Sequence, residues 1–468
     1  MQTIQTNGRP LTVDPNPTAV DLIAADTIRA ATLTNDSLTA ELSLPLAQQV
    51  VATRRDLHRH AEPGWCEYRT AAKVVATLRA LGWEVRHGRA VTDTASRLGV
   101  PPTAELQRHE ARAASLGIDP DVLAAMRDGH TGVVGVLRGT PGPVAALRFD
   151  MDANTCGEDR DAGHPPMRDG YASINDGIHH NCGHDGHTAI GLALARLLAE
   201  QRDAIRGEIR LVFQPAEEGL RGAAAMVAAG VMDGVDVFFG CHIGVQALRL
   251  GEIVAGYRNI LASLKLDATF QGVSAHAAIS PQVGRNALLA ACVATQNLHA
   301  LPRHGDGETR VNVGLLSGGE ARNAVAAHAT LAAEIRADSS AVLDTLHERA
   351  MDVLDGAARM HGVQLSTRVA GACGAASSDE ALAEQVAQAA ASVAGITHIR
   401  ASADFKGSDD AAAMMAAVQQ RGGQAVYIGL GSPLRHVHHH PSFDFDEAVL
   451  PLGVALFEAV LRQGGHVG

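Results

Sequence analysis

Segments with the apolar pattern of strands alternate with helix-forming segments through the middle of the chain. The helix-forming runs cover residues 188–201 and 221–229, and the strand-like runs around them cover 131–137, 143–149, 208–214 and 236–241. This alternation predicts a mixed, largely parallel sheet covered by helices, which is a three-layer α/β/α fold. In open α/β sheets, active-site groups lie at the carboxyl ends of the strands.

The pattern changes near residue 258. The next segments follow a β-α-β-β-α-β order, with strands at 261–271, 309–317, 327–336 and 363–369 and helices at 285–299 and 341–360. Such a unit forms a four-stranded sheet with two helices on one face. A chain of 468 residues is also too long for one ordinary core. We therefore predict a catalytic domain of residues 1–257 and 371–468, into which a smaller α+β domain, residues 258–370, is inserted.

Two segments stand outside this pattern. Residues 1–45 are polar and are interrupted by prolines, which predicts a loosely held arm with one helical piece. Residues 103–128 are charged, rich in alanine and helix-forming. They predict a helical insertion over the core, at about residues 88–128.

Composition restricts the partners and the compartment. The formal net charge of −12 argues against nucleic acid or an anionic membrane as partner. The six cysteines lack framework spacing, which is typical of a reducing compartment. No apolar run reaches the roughly 18 residues of a spanning helix, and the first residues lack the pattern of a signal peptide. We therefore expect a cytoplasmic protein.

The segment His180–His187 concentrates metal-binding chemistry. It holds three histidines, one cysteine and one aspartate within eight residues. Residues two apart in an extended segment point the same way, so Cys182 and His184 can face one centre. A thiolate with an imidazole suits zinc, manganese or a similar divalent ion. We expect a helix from Thr188, capped by Asp185. A polar loop around a buried cysteine is the alternative.

Two later strand ends offer further ligands. The run 211–219 is typical of a buried strand that ends in the adjacent carboxylates Glu217 and Glu218, and the run 236–242 ends in His242. Neighbouring residues at a strand end point in different directions. One glutamate can therefore bind a metal while the other faces a water molecule.

These segments resemble motifs of the di-metal amidohydrolases that include the aminoacylases, glutamate carboxypeptidases, hippurate hydrolase and indole-acetyl-amino-acid hydrolases. The matching motifs occur in family order over about residues 46–460: Arg59–Gly64, Asp150–Ala153, Cys182–His187, Pro215–Gly219, His242–Gly244, Ala275–Ala277, Gly407–Asp410 and His439–Phe443. Within the family, the insertion, Tyr171–Ser173 and Phe443–Glu447 are similar to the branch that hydrolyses p-aminobenzoyl-glutamate.

The resemblance implies two divalent metal ions, manganese or zinc, in each active site. It implies Cys182, His184, Glu218, His242 and His439 as ligands, with Glu217 as general base and Asp152 as the aspartate that orients a ligand imidazole. Because His438, His439 and His440 are adjacent, the identity of the last ligand stays open by one position. His180 and His187 are expected to support the loop.

The resemblance also implies roles for the smaller domain. In relatives that dimerise through it, a histidine in the position of His276 reaches the partner's active site and stabilises the oxyanion. Asn323 and Arg336 match residues that grip the substrate's α-carboxylate, although Ala326 stands where relatives often have proline. We expect a homodimer through residues 258–370, or a heterodimer with a related B subunit.

The predicted activity is metal-dependent hydrolysis of an N-acyl or N-aroyl amino acid. The first candidate substrate is p-aminobenzoyl-glutamate, which would give p-aminobenzoate and glutamate. Deacylation of other N-acyl amino acids and dipeptide cleavage are alternatives in the same family. A cysteine nucleophile is a rival mechanism, because Cys156, Cys182 and Cys241 fall near the site. A catalytically inactive metal-binding protein on the same scaffold is the alternative of another class.

Overall fold

The computed structural model describes residues 44–468. The predicted N-terminal arm therefore lies almost entirely outside the described residues. The helices are α1 (Leu46–Arg59), α2 (Tyr68–Ala80), α3 (Thr103–Ser115), α4 (Pro120–Ala125), α5 (Pro165–Arg168), α6 (His184–Glu200), α7 (Ala223–Ala228), α8 (Ala287–His299), α9 (Ser340–His361), α10 (Glu380–Ala390), α11 (Ala411–Gln419) and α12 (Val449–Gln463). Among residues 44–468, every helix falls short of what crossing a membrane requires.

Fourteen strands of the described chain form three sheets. They are β1 (Glu84–His87), β2 (Val133–Arg138), β3 (Thr140–Asp150), β4 (Arg206–Gln214), β5 (Val237–Ile243), β6 (Glu252–Val254), β7 (Tyr257–Arg258), β8 (Ala262–Gln271), β9 (Thr309–Gly318), β10 (His328–Ala337), β11 (Gln364–Cys373), β12 (His398–Arg400), β13 (Ala403–Asp404) and β14 (Gln424–Leu430). Strands β7 and β13 form a short parallel pair.

The large sheet has the order β1-β2-β4-β3-β5-β14-β6-β12. Its four central strands, β4, β3, β5 and β14, run parallel, whereas β2 and β6 pair antiparallel with their central neighbours. The predicted mixed, largely parallel sheet is therefore confirmed. The carboxyl ends of all four central strands meet at one edge, where the functional residues lie.

Side chains of alternate residues in the central strands enter separate cores. Leu147 and Phe149 of β3 pack with residues of α1, α6 and α12. Ala146, which points to the opposite face, packs with Met226 of α7 and with α11. The period of two along the strand therefore places helices on both faces of the sheet.

The second sheet has the order β11-β8-β10-β9, and all its pairs are antiparallel. Its core contains apolar residues from both α8 and α9, so the β-α-β-β-α-β order is confirmed. The sheet runs from Ala262 to Cys373, whereas the domain boundaries at 257/258 and 370/371 stay a prediction.

The predicted insertion contains α3 and α4 between two short 3-10 turns, Gly88–Ala90 and Arg127–Gly129. Met126 and residues of α4 join the main core, whereas Leu106 of α3 packs with Trp65. The insertion also reaches the turn after β4, because Arg221 donates hydrogen bonds to the carbonyl oxygens of Gly99 and Glu218.

Candidate active site

The metal-binding segment begins its helix earlier than the sequence pattern suggests. Helix α6 starts at His184, four residues before the expected start at Thr188. Gly183 precedes it with a φ of 93°, a left-handed conformation that glycine adopts without strain. Asp185 does not cap the helix as expected. Its carboxylate binds Arg54 and His58 and accepts a hydrogen bond from the Gly186 N–H.

The five predicted metal ligands converge in two groups that share one sulfur. Cys182, His184 and His242 form the first group, and Cys182, Glu218 and His439 form the second. Within each group the potential ligand atoms lie within 4.8 Å of one another. If a cation bound in each group, Cys182 would belong to both, with His184 and His242 in one group and Glu218 and His439 in the other.

Two of the imidazoles use Nδ1 for a backbone hydrogen bond and turn Nε2 toward the site, where His242 Nε2 lies 3.5 Å from Cys182 Sγ. His184 Nδ1 donates to the Asp152 carbonyl oxygen at 2.9 Å, and His242 Nδ1 donates to the Ile243 carbonyl oxygen at 2.9 Å. These bonds fix the tautomer in which Nε2 can ligate. Within residues 44–468, His184 Nε2 is buried and lacks a hydrogen-bond partner. A thiolate, a carboxylate and three imidazoles suit zinc- or manganese-type ions, so the residues fit a metal pair.

Of the three adjacent histidines, only His439 enters these groups. Its Nε2 lies 3.4 Å from Glu218 Oε1. His438 donates from Nε2 to the Ile243 carbonyl oxygen, and His440 stacks on His436. His439 adopts a φ of 67°, which is strained for a residue other than glycine.

His187 and His180 lie beside the ligand groups. His187 Nδ1 donates to Asp150 at 2.6 Å, and its Nε2 accepts the Ile243 N–H. Both ring nitrogens are thus engaged in supporting contacts, as expected. His180 is buried, and its two ring nitrogens lack partners among the described residues.

Two carboxylates hold the turn that carries Glu217 and Glu218. Asp152 accepts hydrogen bonds from the N–H groups of Glu217 and Glu218, each at 2.9 Å. Glu67 accepts the Ala216 N–H at 2.7 Å, and Ala216 has a φ of 51°. Three successive N–H groups are thus fixed by buried carboxylates. The Asp152 side chain holds this turn, whereas its carbonyl oxygen, not its carboxylate, makes the hydrogen bond to the His184 imidazole.

The environments of the paired glutamates push their pKa values apart. Burial, the charge of Asp409 and the charge of Glu218 raise the pKa of Glu217 well above its usual value. Burial also opposes ionisation of Glu218, but hydrogen bonds from His439 and Asn154 and the charge of His184 lower its pKa to about 2. The two adjacent carboxyl groups therefore lie in different electrostatic environments.

A buried arginine pairs with three carboxylates beneath the site. Arg148 donates to Asp150 at 2.7 Å and lies 3.1 Å from Asp409 and 3.3 Å from Asp410. Asp410 also accepts the N–H groups of Gly222 and Ala223 at the start of α7. Arg148 was not among the residues predicted from the sequence. A single arginine within the apolar strand 144–149 was the available signal, because a buried charge requires partners.

A second buried network supports the metal-binding helix from behind. Arg54 is fully buried and binds Asp185 at 2.8 Å and Asp444 at 2.7 Å, with Tyr171 and Glu447 completing its contacts. Two of the sequence signatures, Tyr171–Ser173 and Phe443–Glu447, therefore supply partners for one arginine. Sequence reasoning did not find Arg54 itself.

Four of the five predicted metal ligands line one cleft, whereas His184 lies outside its lining. Its lining includes Cys182, Glu217, Glu218, His242, Arg336 and His439 from the predicted set, together with Gly219, Leu220, Lys265, Phe405, Ser408 and Asp409. Predicted residues His276 and Asn323 do not line it. They lie together in the connections that follow β8 and β9, where the Ala277 N–H donates to the Asn323 carbonyl oxygen.

Two clusters of potential metal ligands that share Cys182, with the Glu217 carboxylate beside them, are the arrangement expected of a metal-dependent hydrolase of amide bonds. Residues 146–463 match the model of Peptidase family M20/M25/M40, and the chain belongs to this family.

Individual relatives agree with this membership. The chain is 46% identical to one subunit of the p-aminobenzoyl-glutamate hydrolase of Escherichia coli (strain K12) and 45% identical to the indole-3-acetyl-aspartic acid hydrolase of Enterobacter agglomerans. Both matches cover 87% of this chain and 94% of the relative. The crystal structure of an aminobenzoyl-glutamate utilization protein from Klebsiella pneumoniae superposes with a TM-score of 0.76 at 40% identity, covering 91% of this chain and 96% of the other.

The hydrogen bonds of Asp152 make the position of the turn testable. In Asp152→Asn, one acceptor oxygen is replaced by an NH₂ group that opposes a backbone N–H, so the turn with Glu218 shifts. We expect metal affinity to fall about 10–100-fold, as measured by competition with a chelating dye. Asp236→Asn is the matched control, because Asp236 accepts the Val144 N–H at the opposite edge of the sheet. Equal affinity in the two variants would show that Asp152 does not position the turn.

Proposed function

We propose that this hydrolase cleaves p-aminobenzoyl-glutamate to p-aminobenzoate and glutamate, within a wider activity on N-aroyl and N-acyl amino acids. The observation that carries the proposal is the position of Glu217 beside two ligand groups that share Cys182. The names of both relatives support the substrate class, since each conjugate joins an aromatic acyl group to an amino acid with two carboxyl groups.

When bound, two divalent cations, manganese or zinc, would polarise the scissile carbonyl and acidify a water molecule. Glu217 would take the proton of the attacking water and deliver it to the leaving nitrogen. Glu218 stays anionic as a ligand, held by Asn154 and His439. Asp152 keeps both glutamates in place through their backbone N–H groups. Cys182 is a ligand in this proposal and not the nucleophile, because both ligand groups use its sulfur.

Residues of the smaller sheet complete the substrate site. Arg336 is about one-third exposed and lines the cleft, so its guanidinium can hold the substrate's α-carboxylate. His276 is exposed and forms a bridge with Ala324, next to Asn323. Neither His276 nor Asn323 lines the cleft of its own chain. We therefore propose that both act in the active site of a second protomer, with His276 stabilising the oxyanion.

Exposed apolar side chains of the smaller domain support this assembly. We use the name "lid surface" for the set Val273, Ile279, Val283, Leu289, Leu315 and Leu316, each of which is at least 42% exposed. Leu315 and Leu316 belong to β9, one of the two edge strands of the smaller sheet, and they point to opposite faces of it. Exposed edge strands and apolar patches favour association. A homodimer through residues 258–370 is the first proposal, and a related B subunit in place of one half is the alternative.

We also propose a cytoplasmic location, supported by the six cysteines, all of which carry free thiols. The domain boundaries at 257/258 and 370/371 are part of the same proposal.

The central experiment tests the metal-stripped protein on N-aroyl and N-acyl amino acids, before and after manganese or zinc is restored. We expect activity only with metal, with p-aminobenzoyl-glutamate among the best substrates. Glu217→Ala should keep its metal but lose roughly 10²–10⁴-fold in kcat, because the proton carrier is gone. Glu218→Ala should instead lose metal.

The outcomes separate the rival functions. A fully active Glu217→Ala variant would exclude Glu217 as the base. Full activity in the presence of a chelator would favour the cysteine nucleophile. Tight metal binding without hydrolysis of any conjugate would favour the inactive metal-binding scaffold.

The proposed assembly has its own test. Leu315→Asp places a charge on the lid surface and should shift the sedimenting species toward the 48.7 kDa monomer, with loss of activity as the partner's His276 is withdrawn. Met360→Asp is the matched control, because Met360 is 70% exposed on α9. A fully active wild-type monomer would contradict the role of His276 across the interface.

A further inference from the structure

One face of the smaller sheet carries a compact group of charges. In the antiparallel pair of β8 and β10, Lys265 lies opposite Glu334 and Ser263 lies opposite Arg336. The intervening residues Leu264, Leu266, Ala333 and Ile335 point into the core beneath α8 and α9. Because side chains alternate along a strand, the charged residues occupy the face away from the helices.

This face closes the catalytic cleft. Lys265 and Arg336 both line it, together with Glu217, Glu218 and His439. Strand β11 has an irregularity between Val369 and Gly371, and Gly371 lies opposite Lys265.

Backbone contacts join β11 to the turn that carries the glutamates. The Ala372 N–H donates to the Leu220 carbonyl oxygen at 2.9 Å. A Cβ at Gly371 would lie 1.8 Å from the Gly219 carbonyl oxygen, so the two segments are packed backbone to backbone. The position of Lys265 relative to Glu217 and Glu218 is therefore set by main-chain contacts.

Two cations share one carboxylate oxygen in this group. Glu334 Oε1 accepts from Lys265 Nζ at 2.8 Å and from Arg336 Nη2 at 3.0 Å. A lysine has three N–H donors and an arginine has five, so donors of both remain available. The side chains of Lys265 and Arg336 are 33% and 30% exposed, which leaves them accessible to a ligand in the cleft.

A simple cross-strand ion pair on the same sheet shows the contrast. Arg368 of β11 binds Asp267 of β8 at 2.7 Å, with one cation for one carboxylate, and its side chain is 63% exposed. Neither residue lines the cleft. The Lys265–Glu334–Arg336 group has a second cation, and it faces the site of reaction.

We infer that Lys265 binds the side-chain carboxylate of the substrate's amino acid, while Arg336 binds the α-carboxylate. Because both nitrogens contact one oxygen, they lie within about 6 Å of each other, a spacing that two carboxylates of one short amino acid can match. The enzyme therefore selects N-acyl conjugates of acidic amino acids. This inference rests on the proposed function and adds the residue that reads the side chain.

The test compares p-aminobenzoyl-glutamate with p-aminobenzoyl-glutamine, which has nearly the same shape but an uncharged side chain. The measured quantity is the ratio of kcat/KM for the two conjugates. The wild-type enzyme should have the higher kcat/KM for p-aminobenzoyl-glutamate. Lys265→Met should lower the ratio by about tenfold or more, chiefly by raising KM for the glutamate conjugate. Lys265→Arg, which retains the charge, should keep most of the preference. Arg368→Met should leave the ratio unchanged.

The results distinguish failure of the inference from failure of the proposed function. The role of Lys265 is overturned if the kcat/KM ratio is unchanged in Lys265→Met, or if the wild-type ratio is near one. In either case, hydrolysis of both conjugates leaves the proposed function intact. Failure of metal-loaded wild type to cleave any N-acyl amino acid overturns the proposed function and, with it, this inference. Metal content and Tm are measured for each variant. Lys265→Gln provides a second neutral side chain if methionine lowers the Tm.

Discussion

The dominant constraint on this structure is the concentration of buried negative charge at one edge of the large sheet. Asp150, Asp152, Glu217, Asp409 and Asp410 are all buried there. Burying a carboxylate without compensation costs many kcal/mol, so the arrangement requires positive charge or a dense set of donors. Arg148 pairs with three aspartates of the lower layer and offsets part of their charge, and backbone N–H groups satisfy Asp152. The upper layer, with Cys182 and Glu218, is left for cations.

The same carboxylates make the site rigid. The turn after β4 contains a residue with positive φ, Ala216, and its next two residues must present their side chains in different directions. Glu67 and Asp152 bind consecutive N–H groups of this turn and so hold a conformation that the sequence alone does not favour. If Glu217 has the proposed role of proton carrier, its fixed position would reduce the reorganisation that proton transfer requires. Burial of ionic groups is thus used here to fix geometry more than to gain stability.

The fold class could be predicted from the sequence because it depends on local periodicity, which survives without knowledge of distant partners. The proximity of the predicted ligands followed from the family resemblance of their motifs, and the structure brings Cys182, His184, Glu218, His242 and His439 together in two groups. The predicted start of α6 was four residues too late, because His184–His187 lacks the apolar pattern of a buried helix. These residues are nevertheless buried, through polar contacts with the site. Their roles in catalysis stay proposals.

Residues that depend on long-range pairing were not predictable. Glu67 and Arg148 meet their partners only after β3 and β4 are aligned. In the sequence, Lys265 is indistinguishable from any other strand lysine. Its position opposite Glu334 and beside the cleft follows only from the pairing of β8 with β10 and β11. The sequence also could not show which of His438, His439 and His440 faces the other predicted ligands. Their sequence surroundings are nearly the same, so the answer depends on the conformation of the loop.

The unequal burial of the ligands has a consequence for how ions enter and leave. His184 is almost completely buried, whereas the side chain of His439 is 59% exposed at the mouth of the cleft. The position proposed at His439 and Glu218 is therefore the more open of the two, although Cys182 and His242 also line the cleft. An ion held there would exchange with the solvent more readily than one held at His184.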